Sequence, residues 1–417
     1  MQSTNRTLLL LNTGAGENLG DRAMLINTVR LLRERHPDWT LLVSSRTPAF
    51  IAEEYRLTPV SFMIDCLSRW AGRHHGASAH KWTSQFHATL GTIEFLLLAL
   101  VAITCRAISY RPAGRFMEAE FLRSLLDTDA VYFVGGGYLT DQGKLECRAL
   151  LTTGLLATWL RKPVVLSGQG LGPYSTPLTR WLLRRVATRA AMIGLRDAGK
   201  GQALLASLGV PVTHVETVCD DALTLPARHT VEAEPKTIGI HWRVSPHQAD
   251  TARVQQTLEE TLDKLARNGW TILLFQFHER EKYEADIYTR WLASGRWPKA
   301  RVIRDLDPRA LRAEVARCTV GLGMAYHFSV FALSAAVPVL GLWHKPYYRD
   351  KIAGLMAAFE HPEWALDDRD ISSEQLYAVL TQIASSDCRE TLHARGRALA
   401  ATHQDWQNRL NARLSVL

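Results

Sequence analysis

Short, unbroken apolar runs alternate with longer stretches in which apolar and polar positions mix at helical spacing, as in parallel strands joined by helices. Parallel strands are covered on both faces, so their apolar runs are continuous. In the first half the pattern predicts strands at 8–11, 41–44, 130–134, 164–167 and 192–195. Helices are predicted at 23–35, 144–160, 177–190 and 200–208, the last followed by Gly209 in the position of a C-terminal cap. A polar, proline-bearing stretch at 226–236 reads as a linker. A second series follows, with strands at 237–242, 271–275, 301–303, 320–323 and 338–342 and helices between them.

Two such series imply an α/β fold of two Rossmann-like domains facing a cleft, at 1–225 and 237–385. A basic and apolar insert lies near 66–123, and 386–417 forms a helical tail. With 417 residues, 47% of them hydrophobic, the chain can fill two cores of ordinary size. The net charge of +8 points to acidic ligands or an anionic surface. It is spread along the chain without lysine or arginine tracts, so nucleic acid is not an expected partner. Six scattered cysteines without a C-x-x-C pair fit a reducing compartment and argue against structural zinc. His278 with Glu279, Glu281 and Asp286 reads as an acidic loop or helix start, so no metal site is expected.

The polar N-terminus passes straight into a strand with no leader pattern, so a cytoplasmic location is expected. The apolar run Phe95 to Ile103 is shorter than the roughly 20 residues that span a bilayer. Arg69, Arg73, Lys81, Arg106, Arg111, Arg115 and Arg123 flank it, with Trp70 and Trp82 on its N-terminal side. Three readings stand, a buried core helix, a helix lying at the inner membrane face and a true span, and the second makes a membrane surface a candidate partner.

Ligands of parallel sheets sit beyond the carboxyl ends of the strands, so the chemistry is sought in those loops. The first, Asn12 to Asp21, is glycine-rich and leads toward a helix, a setting for binding anions on backbone N–H groups. Its glycines are not spaced G-x-G-x-x-G, and the next strand ends near Arg46 rather than at an acidic ribose partner, which argues against NAD. Gly135-Gly-Gly-Tyr-Leu-Thr-Asp141 and Ser167-Gly-Gln-Gly-Leu-Gly-Pro173 follow two further strands. Arg196, directly after another, can fork onto a carboxylate or phosphate while Asp197 orients it.

In the second series, His327 falls at a helix N-terminus between two strands, where free N–H groups welcome an anion. Downstream, Lys345, Arg349 and Lys351 read as a basic loop before a helix at 352–359. No Asp or Glu occurs between Gly321 and Arg349, which suits a phosphate- or carboxylate-bearing donor better than a nucleotide sugar.

Several segments together resemble the polysaccharide pyruvyl transferase family. They are Asn18-Leu-Gly-Asp21, Gly135 to Asp141, Gly168 to Pro173, Leu195-Arg-Asp197, Asp220-Asp-Ala-Leu-Thr-Leu225, the stretch from His327 to Pro338, and Lys351-Ile-Ala-Gly-Leu-Met356, in family order. The resemblance implies a GT-B-like fold and transfer of a pyruvyl group from phosphoenolpyruvate to a saccharide or lipid-linked saccharide, with no separate cofactor. It implies catalytic roles for His327 and Arg196. Substrate contacts are expected from Asn18, Gly20, Asp21, Gly136, Gly137, Gln169, Gly170, Arg243, Tyr348 and Lys351. Where many members carry arginine two residues before the histidine, this chain has Ala325. The alternatives are a GT-B glycosyltransferase using a nucleotide sugar and a non-catalytic, membrane-associated protein of a polysaccharide pathway.

Overall fold

The computed structural model describes residues 5–12, 14, 16–46, 48–65, 89–90, 93–94, 96–97, 99–101, 117–197, 199–243, 251–278 and 282–415. They group into two compact units. The first comprises Met1–Gly16, Met24–Val218 and Trp406–Leu417, and the second Glu17–Ala23 and Cys219–Asp405.

The first unit is built on a seven-stranded parallel sheet. Its strands are β1 Thr7–Leu11, β2 Thr40–Ser44, β3 Thr58–Val60, β4 Ala130–Phe133, β5 Val164–Gln169, β6 Met192–Leu195 and β7 Val215–Thr217, in the spatial order β3-β2-β1-β4-β5-β6-β7. Leu9 sits opposite Leu42 on one side and Val131 on the other, so the central strands stack apolar rows across the sheet. The helix Lys144–Trp159 is buried at every position from Cys147 to Ala157, as a helix hydrophobic all round must be. At the C-terminus, the buried Trp406 packs beside Gly194, and Arg6 donates to the carbonyls of Leu414 (2.5 Å) and Ser415 (3.0 Å).

The second unit holds a six-stranded parallel sheet of β8 Thr237–His241, β9 Thr271–Phe275, β10 Arg301–Ile303, β11 Val320–Gly323, β12 Val339–Trp343 and β13 Ala365–Asp367. Its order is β10-β9-β8-β11-β12-β13. Both sheets therefore run outward in opposite directions from a central pair, β1 and β4 in one, β8 and β11 in the other. The crevice beyond such a switch point is where ligands of this architecture bind.

The structure corrects two readings and describes part of a third. The first helix begins at Leu19 rather than Ala23, because the Asn18 side chain accepts from the N–H groups of Gly20 (2.9 Å) and Asp21 (3.2 Å) and caps it. The expected basic loop at 345–351 is a helix, Pro346–Ala358, opened by proline at its first position with Lys345 as its N-terminal cap residue. Of the run Phe95 to Ile103, residues 95, 98, 102 and 103 lie outside the described residues, and the others are helical. Leu96 and Ala99 join the core of the first unit, whereas Ile93, Leu97, Leu100 and Val101 are 43–60% exposed. No helix among the described residues is long and apolar enough to cross a membrane.

A surface cluster ties two helices of the second unit together. Arg296 contacts Glu259 (2.5 Å) and Asp263 (2.7 Å), which also accept from the indole N–H groups of Trp291 and Trp297 at 2.8 Å each. Burial raises both carboxyls, but these donors more than offset it and hold them below the ordinary range. Such depressed groups add stability that is present at neutral pH and lost as pH falls through their folded-state values. Arg296→Ala should lower stability by about 1 kcal/mol at neutral pH, and the difference should shrink below about pH 4. Thermal melts of both proteins across that range check it.

Candidate active site

In the second unit, β11 ends at Gly323 and the helix Tyr326–Ser334 begins three residues later, with Ala325 as its cap residue. Phe328 lies against Gly239 and Gly321, so missing side chains on β8 and β11 let this helix sit close to the sheet. His327 occupies the first turn, and its side chain is 12% exposed. Ala325 offers no side-chain cap, so the first-turn N–H groups give this end of the helix the positive character that favours anions.

Two elements fix the His327 ring. Gly20 lies flat against it, and a Cβ at that position would overlap the imidazole. On another side, Asp220 Oδ2 stands 3.7 Å from His327 Nε2. Asp220 is itself buried and caps the short 3-10 helix Asp221–Thr224 through a bond from the Ala222 N–H (2.9 Å). The imidazole Nε2 is buried without a hydrogen-bond partner. A histidine with one nitrogen beside a buried carboxylate and a sliver of exposure can exchange a proton with a bound molecule while the carboxylate offsets the charge. The next residue, Asp221, points elsewhere and meets His403 at 3.0 Å, which pins the long helix Arg389–Ser415. The carboxylate doublet thus serves two histidines.

Asn18, Gly20 and Asp21 belong to this same unit. The Leu19 N–H donates to the Phe277 carbonyl (3.0 Å), and Asn18 bridges His278 in antiparallel fashion. The loop after β9 thereby carries the segment that backs His327. Arg243 follows the buried Trp242 directly beyond β8 and is exposed. Tyr348 and Lys351 lie on the helix after β12, the strand next to β11. Tyr348 is exposed, and the Lys351 ammonium sits 4.1 Å above the Tyr347 ring.

The first unit brings together Gly136, Gln169, Gly170 and Arg196. Gly136 bridges Gln169, and the Gly170 N–H donates to the Gly136 carbonyl (2.8 Å). Arg196, buried directly after β6, lays its guanidinium over Gly170, where an added Cβ would come within 2.8 Å of Nε and 3.0 Å of Nη2. The half-buried Gly137 follows in the same loop. Gln169 is fully buried, and its amide donates to the carbonyls of Val134 (2.7 Å) and Ser167 (3.0 Å) and to the Tyr138 hydroxyl (3.1 Å). Its carboxamide thus braces the glycine loops from within.

In the sequence Asp220 stands in a family-like segment without a role of its own, and nothing singles out His241 and Glu284, which are bonded to each other beneath the His327 turn. The only local signals were an Asp-Asp pair after a strand and a lone histidine at a strand end.

A family model described as polysaccharide pyruvyl transferase matches residues 18–346. The chain belongs to the polysaccharide pyruvyl transferase family and is accordingly a transferase. No curated protein sequence matches it. Among solved structures, it is similar to the UDP-GlcNAc 2-epimerase from Methanocaldococcus jannaschii, at 12% identity and TM-score 0.56 over 95% of this chain and 99% of that one. The S. aureus MnaA–UDP co-structure gives 11% identity and TM-score 0.55 over 94% and 91%. The calicheamicin glycosyltransferase CalG4 gives 12% and 0.55 over 100% and 99%. At such identities these likenesses show the fold alone, a two-sheet α/β fold of the GT-B class.

Gly20→Ala should displace the imidazole without disturbing either sheet. Its melting temperature should stay within a few degrees of the wild-type value while turnover falls about 100-fold or more. Calorimetry beside an activity assay measures both.

Proposed function

We propose that the chain transfers a pyruvyl group from phosphoenolpyruvate to a sugar of a cell-surface polysaccharide or its lipid-linked precursor, forming a cyclic ketal. The observation that carries this reading is His327, held at a helix N-terminus between Gly20 and the buried Asp220, in a chain of this family. The reaction needs a proton delivered to C3 of the donor and a proton removed from a sugar hydroxyl as its oxygen bonds to C2. The C2–O bond to phosphate then breaks. A second hydroxyl adds at C2 and loses its proton, leaving the ketal and inorganic phosphate. An imidazole titrates near neutrality and suits both directions of proton transfer. Asp220 would orient the ring and balance the charge of its doubly protonated form.

The donor carries a phosphate and a carboxylate, so it requires cationic partners. Arg196, Lys351 and Arg243 are assigned that role, Arg196 because a guanidinium can fork onto either group. His327→Ala should reduce turnover by roughly 10²–10⁴-fold with little change in donor binding. Arg196→Ala should chiefly raise the KM for phosphoenolpyruvate. Phosphate-release kinetics with a saccharide acceptor check both. Phosphoenolpyruvate should also protect the wild-type protein against thermal unfolding where UDP does not. Protection by UDP alone would select the nucleotide-sugar reading.

A lipid-linked acceptor agrees with one surface feature. Ile93, Leu97, Leu100 and Val101 are exposed on a helical stretch whose Leu96 and Ala99 are buried. In sequence they lie within 66–123, which carries seven Lys and Arg against three Glu. Apolar side chains in a basic setting suit an anionic bilayer surface. The protein should cosediment with vesicles containing phosphatidylglycerol and not with neutral ones. Leu97→Glu with Val101→Glu should abolish that binding, and unchanged cosedimentation would contradict it.

A further inference from the structure

Beneath the His327 turn lies a buried pair that the proposed chemistry does not use. His241 ends β8 and Glu284 lies on the helix Lys282–Ala293, and their side chains are 2% and 1% exposed. His241 Nδ1 accepts from the Ala325 N–H at 3.0 Å. A backbone N–H can only donate, so Nδ1 carries no proton and Nε2 carries one. That Nε2–H donates to Glu284 Oε1 at 3.2 Å. The other carboxylate oxygen accepts from the N–H groups of Phe277 (2.9 Å) and His278 (3.1 Å). Every proton in this chain has a fixed direction. Burial raises the Glu284 carboxyl, yet His241 and the two backbone donors outweigh it and hold the group below the ordinary carboxylate range.

The two ends of the chain lead to opposite sides of one ring. Ala325 is the cap of the helix that presents His327. Phe277 and His278 hold Leu19 and Asn18, and Gly20 beside them rests on the His327 ring. From this we infer that Glu284 and His241 are positioning residues, a buried relay that sets the spacing between the Gly20 segment and the His327 turn and so aims the imidazole. The inference rests on the proposed role of His327, but the relay itself has a readout independent of turnover.

Glu284→Gln keeps the shape and breaks the proton order. If the new carbonyl oxygen accepts from Phe277 and His278, its NH₂ faces Nε2, which must then give up its proton. The imidazole would protonate Nδ1 instead, against the Ala325 N–H, and two donors would meet. The experiment is hydrogen exchange on the full chain, followed by mass spectrometry, with kinetics on the same samples. Amides of the segments holding Leu19 and Ala325 should exchange at least about tenfold faster in Glu284→Gln while those of β12, Val339–Trp343, are unchanged. Turnover with phosphoenolpyruvate should fall about 10- to 100-fold at nearly constant KM, by analogy with outer groups that orient metal ligands. His241→Asn, which loses the link to Glu284, should reproduce the exchange pattern.

Faster exchange in a protein that does not use phosphoenolpyruvate would uphold the relay and overturn only the donor assignment. Unchanged exchange at Leu19 and Ala325, acceleration of β12 together with them, or failure of both variants to fold would overturn the positioning role.

Discussion

The candidate site of the second unit depends on one steric and polar constraint, the seat of the His327 ring. A helix must start close to the sheet for the imidazole to reach the crevice beyond β8 and β11, and a backbone without a side chain must lie against its face. Phe328 on Gly239 and Gly321 provides the first condition and Gly20 the second. Buried polar atoms then have to be satisfied around a ring that lacks a hydrogen-bond partner of its own at Nε2. Asp220 and the His241–Glu284 pair occupy those positions, each with its remaining oxygens or nitrogens bonded to backbone. Such a network holds one geometry because each alternative leaves a buried donor facing a donor.

The central strands were readable because burial on both faces writes an unbroken apolar run. β6, β9, β10 and β11 have the limits that the pattern predicts, β12 is shifted by one residue at both ends, and the other strands it predicts differ by a residue or two at one end. The strands that escaped, β3, β7 and β13, all lie at sheet edges. Their sequences, Thr-Pro-Val, Val-Glu-Thr and Ala-Leu-Asp, carry the proline and polar residues that edges tolerate and central strands do not. The helix Pro346–Ala358 hid for a different reason: its first two turns hold Tyr347, Arg349, Asp350 and Lys351, which read as solvated loop until a proline at the first helical position is given its due weight.

The candidate site was legible where it coincides with a local pattern. His327 stands out because a strand, a short turn and an apolar helix follow in immediate succession. Gly20 was legible as a glycine near an anion-binding turn, but its actual task, yielding space to a side chain more than three hundred residues away, has no local signature. Asp220, His241 and Glu284 were silent for the same reason. Each is an ordinary polar residue beside a strand or on a helix; the meaning of His241 and Glu284 arises only when the parallel topology brings β8, β9 and β11 side by side, and that of Asp220 only when His327 is seen next to it. The family resemblance rests on ordered motifs and reached the transferase class, whereas the proton order beneath the site required coordinates.

Whether the imidazole at 327 moves protons during pyruvyl transfer is decided by a single turnover in D₂O with phosphoenolpyruvate and an acceptor saccharide, followed by NMR. If it does, the ketal methyl group carries one solvent-derived deuterium, one phosphate is released per ketal, and both signals are lost together in a protein lacking that imidazole. Formation of the singly deuterated methyl at an undiminished rate without it would rule that role out.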